Sequence, residues 1–247
     1  MNLVIDIGNT YIKTGIFEEK KIISHQKLQR KDFVKYLQQS KTEYPKIENA
    51  MVSHVGKMEP EWGKFLQKEF STVEFSAHTK LPFKNTYQTP ETLGLDRIAL
   101  MAAALEKYPH KNVLVIDAGT CITYDFLDKT GKYHGGAISP GLNMRFMALN
   151  TFTDRLPLLS PENSAAFLSN FLGKSTFESI QVGVQRGVLQ EIWGFIEAYD
   201  KKFRDLTVIL TGGDAQILFK SIKNTIFAPS YFLLEGLNSI LEFNKFK

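Results

Sequence analysis

The chain has 247 residues, of which 43% are hydrophobic and 23% charged, so its size and composition are those of a globular protein with a sizeable core. Its net charge of +4 comes from scattered residues, which argues against a nucleic-acid partner but favours an anionic ligand. The single cysteine, Cys121, excludes an internal disulfide, and we expect it to be small and buried. No apolar run reaches the roughly 20 residues of a membrane helix. With no secretion signal at the start, we expect a cytoplasmic protein.

Apolar runs and amphipathic segments predict strands that alternate with helices along the chain. Helices are predicted at 31–39, 60–69, 95–108, 175–199, 215–222 and 233–243. Strands are predicted at 50–55, 133–138 and 206–210, besides those of two hairpins. This alternation is typical of an α/β fold.

One strand–turn–strand pattern occurs twice. Leu-Val-Ile-Asp-Ile-Gly-Asn-Thr at 3–10 leads into an apolar segment at 11–17, and Leu-Val-Ile-Asp-Ala-Gly-Thr at 114–120 leads into another at 121–126. We interpret each as a β-hairpin with a glycine turn. The repeat predicts a duplicated α/β unit, with subdomains at 1–111 and 112–247 and a ligand cleft between them.

Both turns have the residue types of a phosphate site. A glycine lets backbone N–H groups approach a phosphate, and the adjoining threonine adds a hydroxyl donor. Asp6 and Asp117, just before the glycines, can hold a metal ion or its water. Either motif alone is explained better by an ordinary hairpin turn. Their recurrence in matching strand context favours two turns that grip the phosphates of one nucleotide.

Three further segments are candidates for the site. Thr-Gly-Gly-Asp at 211–214 lets a flat ligand lie against the backbone, although a plain strand-to-helix turn capped by Asp214 explains it too. Asp96 is either a helix-start residue or a general base, and Arg97 suits a carboxylate or phosphate. Gly-Lys-Ser-Thr at 173–176 lacks the upstream glycine and the strand of a P-loop. We interpret it as a capped helix start.

Six motifs in this order resemble those of the type III pantothenate kinases. They lie at 6–10, 87–97, 117–120, 135–142, 175–183 and 211–214. These kinases share with actin, sugar kinases and acetate kinase a duplicated ribonuclease-H-like fold, the actin-like ATPase fold, with a nucleotide cleft between two subdomains. The resemblance implies that the chain uses ATP to phosphorylate pantothenate to 4′-phosphopantothenate, the first step of coenzyme A biosynthesis.

The resemblance also implies roles for single residues. Asp96 would accept the hydroxyl proton, and Asp117 would ligate a monovalent cation, K⁺ or NH₄⁺, beside the Mg²⁺ that accompanies ATP. Pantothenate would contact Tyr87, Gly94, Leu95, Arg97 and Thr176. ATP would contact Asp6, Ile7, Gly8, Asn9, Thr10, Tyr11, Ile12, Lys13, Thr120, Gly212 and Gly213. A homodimer is implied, with the substrate pocket near the subunit interface.

A few positions depart from the family pattern and leave loop shapes open: Cys121, His54-Val55-Gly56 and residues 150–157. Two other functions stay open. One is a kinase on the same fold for a sugar or another hydroxy acid. The other is a non-catalytic, nucleotide-binding accessory factor in transcription, which the lack of a clustered basic stripe disfavours. We expect no nucleic-acid or membrane partner.

Overall fold

Two β-sheets form the framework of the chain, as a computed structural model shows for residues 1–8, 11–54, 58–162, 167, 171–219, 221–222 and 225–245. The strands of the first sheet are β1 (Asn2–Ile7), β2 (Tyr11–Glu18), β3 (Lys21–Gln29), β4 (Asn49–His54) and β5 (Ser71–Glu74). A two-residue strand, β6 (Lys84–Asn85), follows. The strands of the second sheet include β7 (Asn112–Ala118), β8 (Cys121–Leu127), β9 (Lys132–Pro140), β10 (Leu206–Thr211) and β11 (Ile226–Phe227).

The two sheets repeat one topology. Strands β1, β2 and β3 form an antiparallel meander, and β4 and β5 extend the sheet beyond β1 in parallel. Strands β7, β8 and β9 form the same meander, and β10 and β11 extend it beyond β7 in parallel. The orders β3-β2-β1-β4-β5 and β9-β8-β7-β10-β11 are therefore equivalent, as the predicted duplication requires.

Helices connect the parallel strands. In chain order they are α1 (Phe33–Glu43), α2 (Pro60–Glu69), α3 (Leu95–Lys107), α4 (Leu142–Thr151), α5 (Thr176–Lys202), α6 (Ala215–Phe219) and α7 (Phe232–Lys245). Short 3₁₀ turns lie at Arg30–Asp32 and Pro90–Thr92. The predicted cap of α5 is confirmed, because the Glu178 N–H donates to Ser175 Oγ at 3.2 Å. Within the described ranges, none of the helices is both long and apolar enough to cross a membrane.

The chain divides into two compact units. One comprises Met1–Lys107 and Tyr231–Lys247, and the other comprises Tyr108–Ser230. Each has its own core: Leu3, Ile5 and Phe33 are fully buried in the first unit, and Leu114 and Val188 in the second. The fold class predicted from the motifs, a duplicated α/β architecture, is confirmed.

The C-terminal helix departs from the predicted subdomain 112–247. It belongs to the first unit because α7 packs along α3. The backbone of Gly236 lies against the carbonyl of Ala99, so closely that a side chain at 236 would overlap it. At the other face of α7, the buried amide of Asn2 donates to Asn238 Oδ1 at 2.7 Å. The helix that carries Asp96 is thus supported by the last segment of the chain.

Candidate active site

The first hairpin presents a polar turn at the end of two buried strands. Gly8 donates its N–H to the Tyr11 carbonyl at 3.0 Å and closes the turn, while Tyr11 itself is 42% exposed. The side chains of Ile7 and Ile12 face the core, so only their backbone can contact a nucleotide. The predicted ATP contacts at Asn9 and Thr10 lie outside the described residues.

Asp6 has the most perturbed carboxyl group of this hairpin. It pairs across the strands with Lys13. Burial raises the pKa of Asp6 to about 6; the charge of Lys13 lowers it, and the negative charge of Asp96 raises it further. The Asp96 effect matters for the site because it places the two carboxylates within electrostatic range of each other. Two of the predicted site residues, from motifs 90 positions apart, therefore act on each other in the first unit.

Asp96 lies in the first turn of α3 with an exposed side chain. One carboxylate oxygen, Oδ1, accepts the Arg97 N–H at 2.9 Å, which holds the side chain back over the helix start. The same oxygen occupies the space that a Cβ at Gly94 would need. A side chain at Gly94 would therefore displace the Asp96 carboxylate from this position, and Leu95 begins the helix beside it.

Arg97 and Tyr87 also come together in the first unit. Arg97 is only 5% exposed, which is unusual for a guanidinium. Its Cζ lies 5.6 Å from the centre of the Tyr87 ring, within the range of a cation–π contact. The loop before Tyr87 is fixed by its N–H, which donates to Asn85 Oδ1 at 2.9 Å. A positive group held in this way suits recognition of a carboxylate.

The second hairpin is supported by backbone on two sides. Its turn is closed by the Gly119 N–H, which donates to the Cys121 carbonyl at 3.0 Å. Gly141 donates to the Thr120 carbonyl at 3.0 Å, and a side chain at 141 would overlap the carbonyls of Gly119 and Thr120. Gly212 has a φ of 102°, which favours glycine, and lies against the Ala118 carbonyl.

These backbone contacts of the second hairpin account for the glycines at 141 and 212. The Asp214 N–H donates to the Ala118 carbonyl at 2.9 Å, so the segment 211–214 lies directly on the turn that follows Asp117. Gly212 and Gly213 are exposed, while Thr120 is exposed at the tip of the turn. Burial raises the pKa of Asp214. Within the second unit, the structure therefore brings together the predicted cation residue and the predicted ATP contacts.

Asp117 has a different cross-strand neighbour from Asp6. The residue opposite it is Thr123, whose side chain is on the same face of the sheet and is 8% exposed. The Thr123 hydroxyl is buried and has no hydrogen-bond partner among the residues that the structure describes. A buried oxygen beside a carboxylate is a suitable pair of ligands for a small cation. The sequence argument did not single out Thr123.

Thr176 lies elsewhere in the second unit. It is the first residue of α5 and lines an open cavity of about 1070 Å³ together with Arg145 of α4 and Phe152, which directly follows α4. The hairpin residues that the structure describes do not line this cavity. The structure of a single chain thus does not bring Thr176 to the second hairpin.

A family model of type III pantothenate kinases matches residues 2–198. A type III pantothenate kinase of Christiangramia forsetii is 50% identical over 245 residues, which is 99% of each chain. The chain belongs to the type III pantothenate kinase family. The type III pantothenate kinase of Flavobacterium johnsoniae is 41% identical over 98% of each chain.

Solved structures with this fold include more distant proteins. A Campylobacter jejuni protein described as a candidate Baf family transcriptional activator has a TM-score of 0.61, with 21% identity over 98% of each chain. At that identity the likeness concerns the fold and not the activity, so it does not favour a role in transcription for this pantothenate kinase family member. The fold of the family is that of the actin-like ATPases and sugar kinases.

One prediction near the site is wrong. Cys121 is exposed and not buried, because it opens β8 directly after the turn, with its Sγ 3.9 Å from Met144 Sδ. Among the described residues, no group of three or more His, Cys, Asp or Glu side chains could hold a metal ion. A signal for Thr123 was present in the sequence, since it stands opposite Asp117 in the repeated hairpin as Lys13 stands opposite Asp6.

Proposed function

We propose that this chain transfers the γ-phosphoryl group of ATP to the primary hydroxyl of pantothenate and forms 4′-phosphopantothenate for coenzyme A biosynthesis. The observation that carries the proposal is the effect of the Asp96 charge on Asp6, which places the two carboxylates within electrostatic range of each other. A carboxylate that accepts a proton from an alcohol must lie beside the phosphates that receive the oxygen. Asp96 is exposed at a helix start, next to the carboxylate of a phosphate-type turn.

The residues around Asp96 supply the binding of the acceptor. Pantothenate carries a carboxylate, and Arg97 is a buried cation stacked on Tyr87, with Gly94 and Leu95 at the same helix start. A guanidinium fixed in this manner orients an anion without loss of side-chain entropy on binding. Orientation of the acceptor hydroxyl in line with the phosphorus contributes more to this reaction than covalent catalysis.

The first hairpin suits Mg²⁺-bound ATP. Burial and the neighbouring Asp96 both disfavour the ionised form of Asp6, and a nearby cation relieves that cost. Mg²⁺ would neutralise charge on the phosphate oxygens. Lys13 and the backbone at Gly8 would bind the phosphates from the protein side. Thr120, Gly212 and Gly213, which are exposed, would also contact the nucleotide.

A monovalent cation, K⁺ or NH₄⁺, fits the second hairpin. Asp117 would provide a carboxylate oxygen and Thr123 the buried hydroxyl for which the described residues offer no hydrogen-bond partner. The cation would add positive charge near the transferring group. The residues of both hairpins thus suit two differently charged cations.

We further propose that the protein is a cytoplasmic homodimer. Support comes from exposed apolar side chains: Phe152, which lines the cavity with Thr176, is 84% exposed, and Phe171 and Leu172, which precede the cavity residue Gly173 in the chain, are 73% and 72% exposed. A large exposed apolar patch is a mark of an interaction site in soluble proteins. A second chain on this surface would bring Thr176 close to a substrate bound by its partner.

The reaction is tested by release of ADP with pantothenate as acceptor, with and without K⁺. We expect ADP release that needs pantothenate and rises with K⁺, and 4′-phosphopantothenate as the product by mass spectrometry. A panel of sugars and other hydroxy acids in the same assay should give little turnover. Turnover with a sugar and none with pantothenate would overturn the choice of acceptor while keeping the kinase.

A further inference from the structure

An ion pair joins α4 to α5 in the second unit. Arg145 lies on α4 and Glu191 on α5, and Arg145 Nη2 is 2.6 Å from Glu191 Oε2. The two side chains are 23% and 26% exposed. Water therefore screens this pair less than an ordinary surface pair, and its geometry is better defined.

Glu191 binds three donors at once. Its Oε1 accepts the hydroxyl of Tyr124 at 2.8 Å and that of Ser139 at 2.5 Å, and Oε2 accepts from Arg145. Burial by itself would raise the pKa of Glu191, but the hydrogen bonds from Arg145, Ser139 and Tyr124 outweigh it and lower the pKa. The carboxylate is thus ionised and held in one position by partners from three elements.

The pair acts on the end of β9. Arg145 Nε donates to the Pro140 carbonyl at 2.8 Å, and Glu191 holds the neighbouring Ser139. The next residue along the chain is Gly141, whose N–H donates to the Thr120 carbonyl. Glu191 does not touch the turn at 119–120 itself. It determines where the segment that supports this turn can lie.

The contact between that segment and the turn leaves little freedom. Backbone lies against backbone at Gly141, with no space for a side chain between them. A displacement of residues 139–141 is therefore passed on to the turn in full, because packed backbone does not absorb it. A shift of the donors in a phosphate site by a fraction of an ångström is enough to weaken binding.

We propose that Glu191, together with Arg145, is a positioning residue that sets the shape of the turn at 119–120 and thereby the affinity for ATP. The inference rests on the proposed function, since that function assigns this turn to the nucleotide. None of the six sequence motifs contains Glu191, because the signal is a contact between two helices that are distant in sequence.

The test compares nucleotide affinity with acceptor affinity. In Glu191→Ala, we expect the Kd of the Mg²⁺ complex of a non-hydrolysable ATP analogue, measured by calorimetry, to rise about tenfold. The KM for ATP should rise by the same factor. This is the usual effect of removing a residue that orients a binding group without touching the ligand. The KM for pantothenate should stay within about twofold. Glu191→Gln keeps the shape and part of the hydrogen bonding, so its effect should be smaller.

A double-mutant cycle and a control complete the design. The double variant with Arg145→Ala and Glu191→Ala should raise the Kd little more than either single change, because each change breaks the same ion pair. Glu197→Ala removes another ion-paired carboxylate of α5, 2.7 Å from Lys201, and should leave the Kd unchanged.

The outcomes separate this inference from the proposed function. The proposal is wrong if Glu191→Ala lowers the melting temperature but leaves the Kd unchanged. It is also wrong if both KM values rise equally. In either case the ion pair only stabilises the fold. If Glu191→Ala does not fold, the same comparison is made with Glu191→Gln. A wild-type protein that binds the analogue but does not phosphorylate pantothenate contradicts the proposed function only.

Discussion

The two hairpins share a backbone but differ in charge and in support. Both carry an aspartate just before a glycine turn that is closed by one N–H to carbonyl bond of 3.0 Å. Lys13 stands opposite Asp6, whereas the neutral Thr123 stands opposite Asp117. The first turn lies near the carboxylate of Asp96, and the second is enclosed by the backbone of Gly141 and Gly212.

This difference shows how a duplicated unit acquires two roles. The sheet fixes the position of both aspartates, and under the proposed function the cross-strand neighbour of each one sets the cation that it would bind. A lysine opposite Asp6 already supplies one positive charge, so that site fits a metal ion shared with a triphosphate. A threonine opposite Asp117 supplies only an oxygen, which fits a monovalent ion.

The largest expected effect comes from breaking the support of the second hairpin. Gly141→Ala places a methyl group against the carbonyls of Gly119 and Thr120, which are rigid backbone, and should lower the free energy of unfolding by about 3 kcal/mol or more. Gly187→Ala is the control, since its Cβ meets nothing within 4 Å and alanine favours the helix by up to about 1 kcal/mol. Urea unfolding of both variants measures the difference. Equal stabilities would contradict the close contact at Gly141.

The next effect concerns Asp96, the carboxylate whose charge acts on the first hairpin. Asp96→Asn should lower kcat by about 10²-fold with folding intact, the usual scale for a positioned base. Glu61→Gln is a matched control, because Glu61 is also an acid in the first turn of a helix, α2. Steady-state ADP release measures both. Near-wild-type turnover in Asp96→Asn would remove Asp96 from the proton-accepting role.

A third effect follows from the pKa of Asp6. Its folded-state value of about 6 exceeds the ordinary 3.8, so the folded chain binds more protons than the unfolded chain between these pH values. Stability should therefore fall as pH rises from about 4 to 6 and stay lower above. At pH 7.5, without nucleotide, Asp6→Asn should be more stable by on the order of 2 kcal/mol. Towards pH 4 the free energies of unfolding of the wild type and of Asp6→Asn should converge. If Asp6→Asn were less stable than the wild type at pH 7.5, the cost of burying the Asp6 carboxylate would be contradicted.

The smallest effect tests the cation of the second hairpin. Thr123→Val removes the buried hydroxyl but keeps its shape, and should raise the K⁺ concentration for half-maximal ADP release by about threefold, the equivalent of one weak ligand. Asp117→Asn should raise this K⁺ concentration further. Asp6→Asn should leave it unchanged, as measured on the residual activity of that variant. Binding of Tl⁺ as a K⁺ substitute, followed by calorimetry, gives a readout independent of turnover. An unchanged K⁺ dependence in Thr123→Val would exclude the hydroxyl as a ligand.

Much of the fold was predictable because its strands are buried. β1, β7 and β10 are continuous apolar runs, and the helix starts at Pro60 and Ser175 carry recognised signals. β3 has no predicted counterpart, since it is an edge strand on which polar residues alternate with half-buried ones and no apolar run marks it. The helix α4 is missing from the prediction too, because only Leu142 and Phe146 of its residues are buried.

The site was predictable where a motif is local. Gly94, Asp96 and Arg97 lie within four positions, and their mutual contacts are made within one helix turn. Thr123, the Gly141 contact and the Glu191 pair depend on which strands and helices lie side by side. That information is carried by tertiary packing and not by spacing along the chain. The placement of α7 beside α3 could not be predicted from the sequence for the same reason.

The support of α3 by α7 has a consequence for how the protein is made. The unit that carries Asp96 is built from residues 1–107 and 231–247, so its core cannot be completed before the segment after residue 230 has been synthesised. The second unit, by contrast, is continuous and can fold earlier during synthesis. A chain that stops before residue 231 therefore lacks the helix that packs along α3.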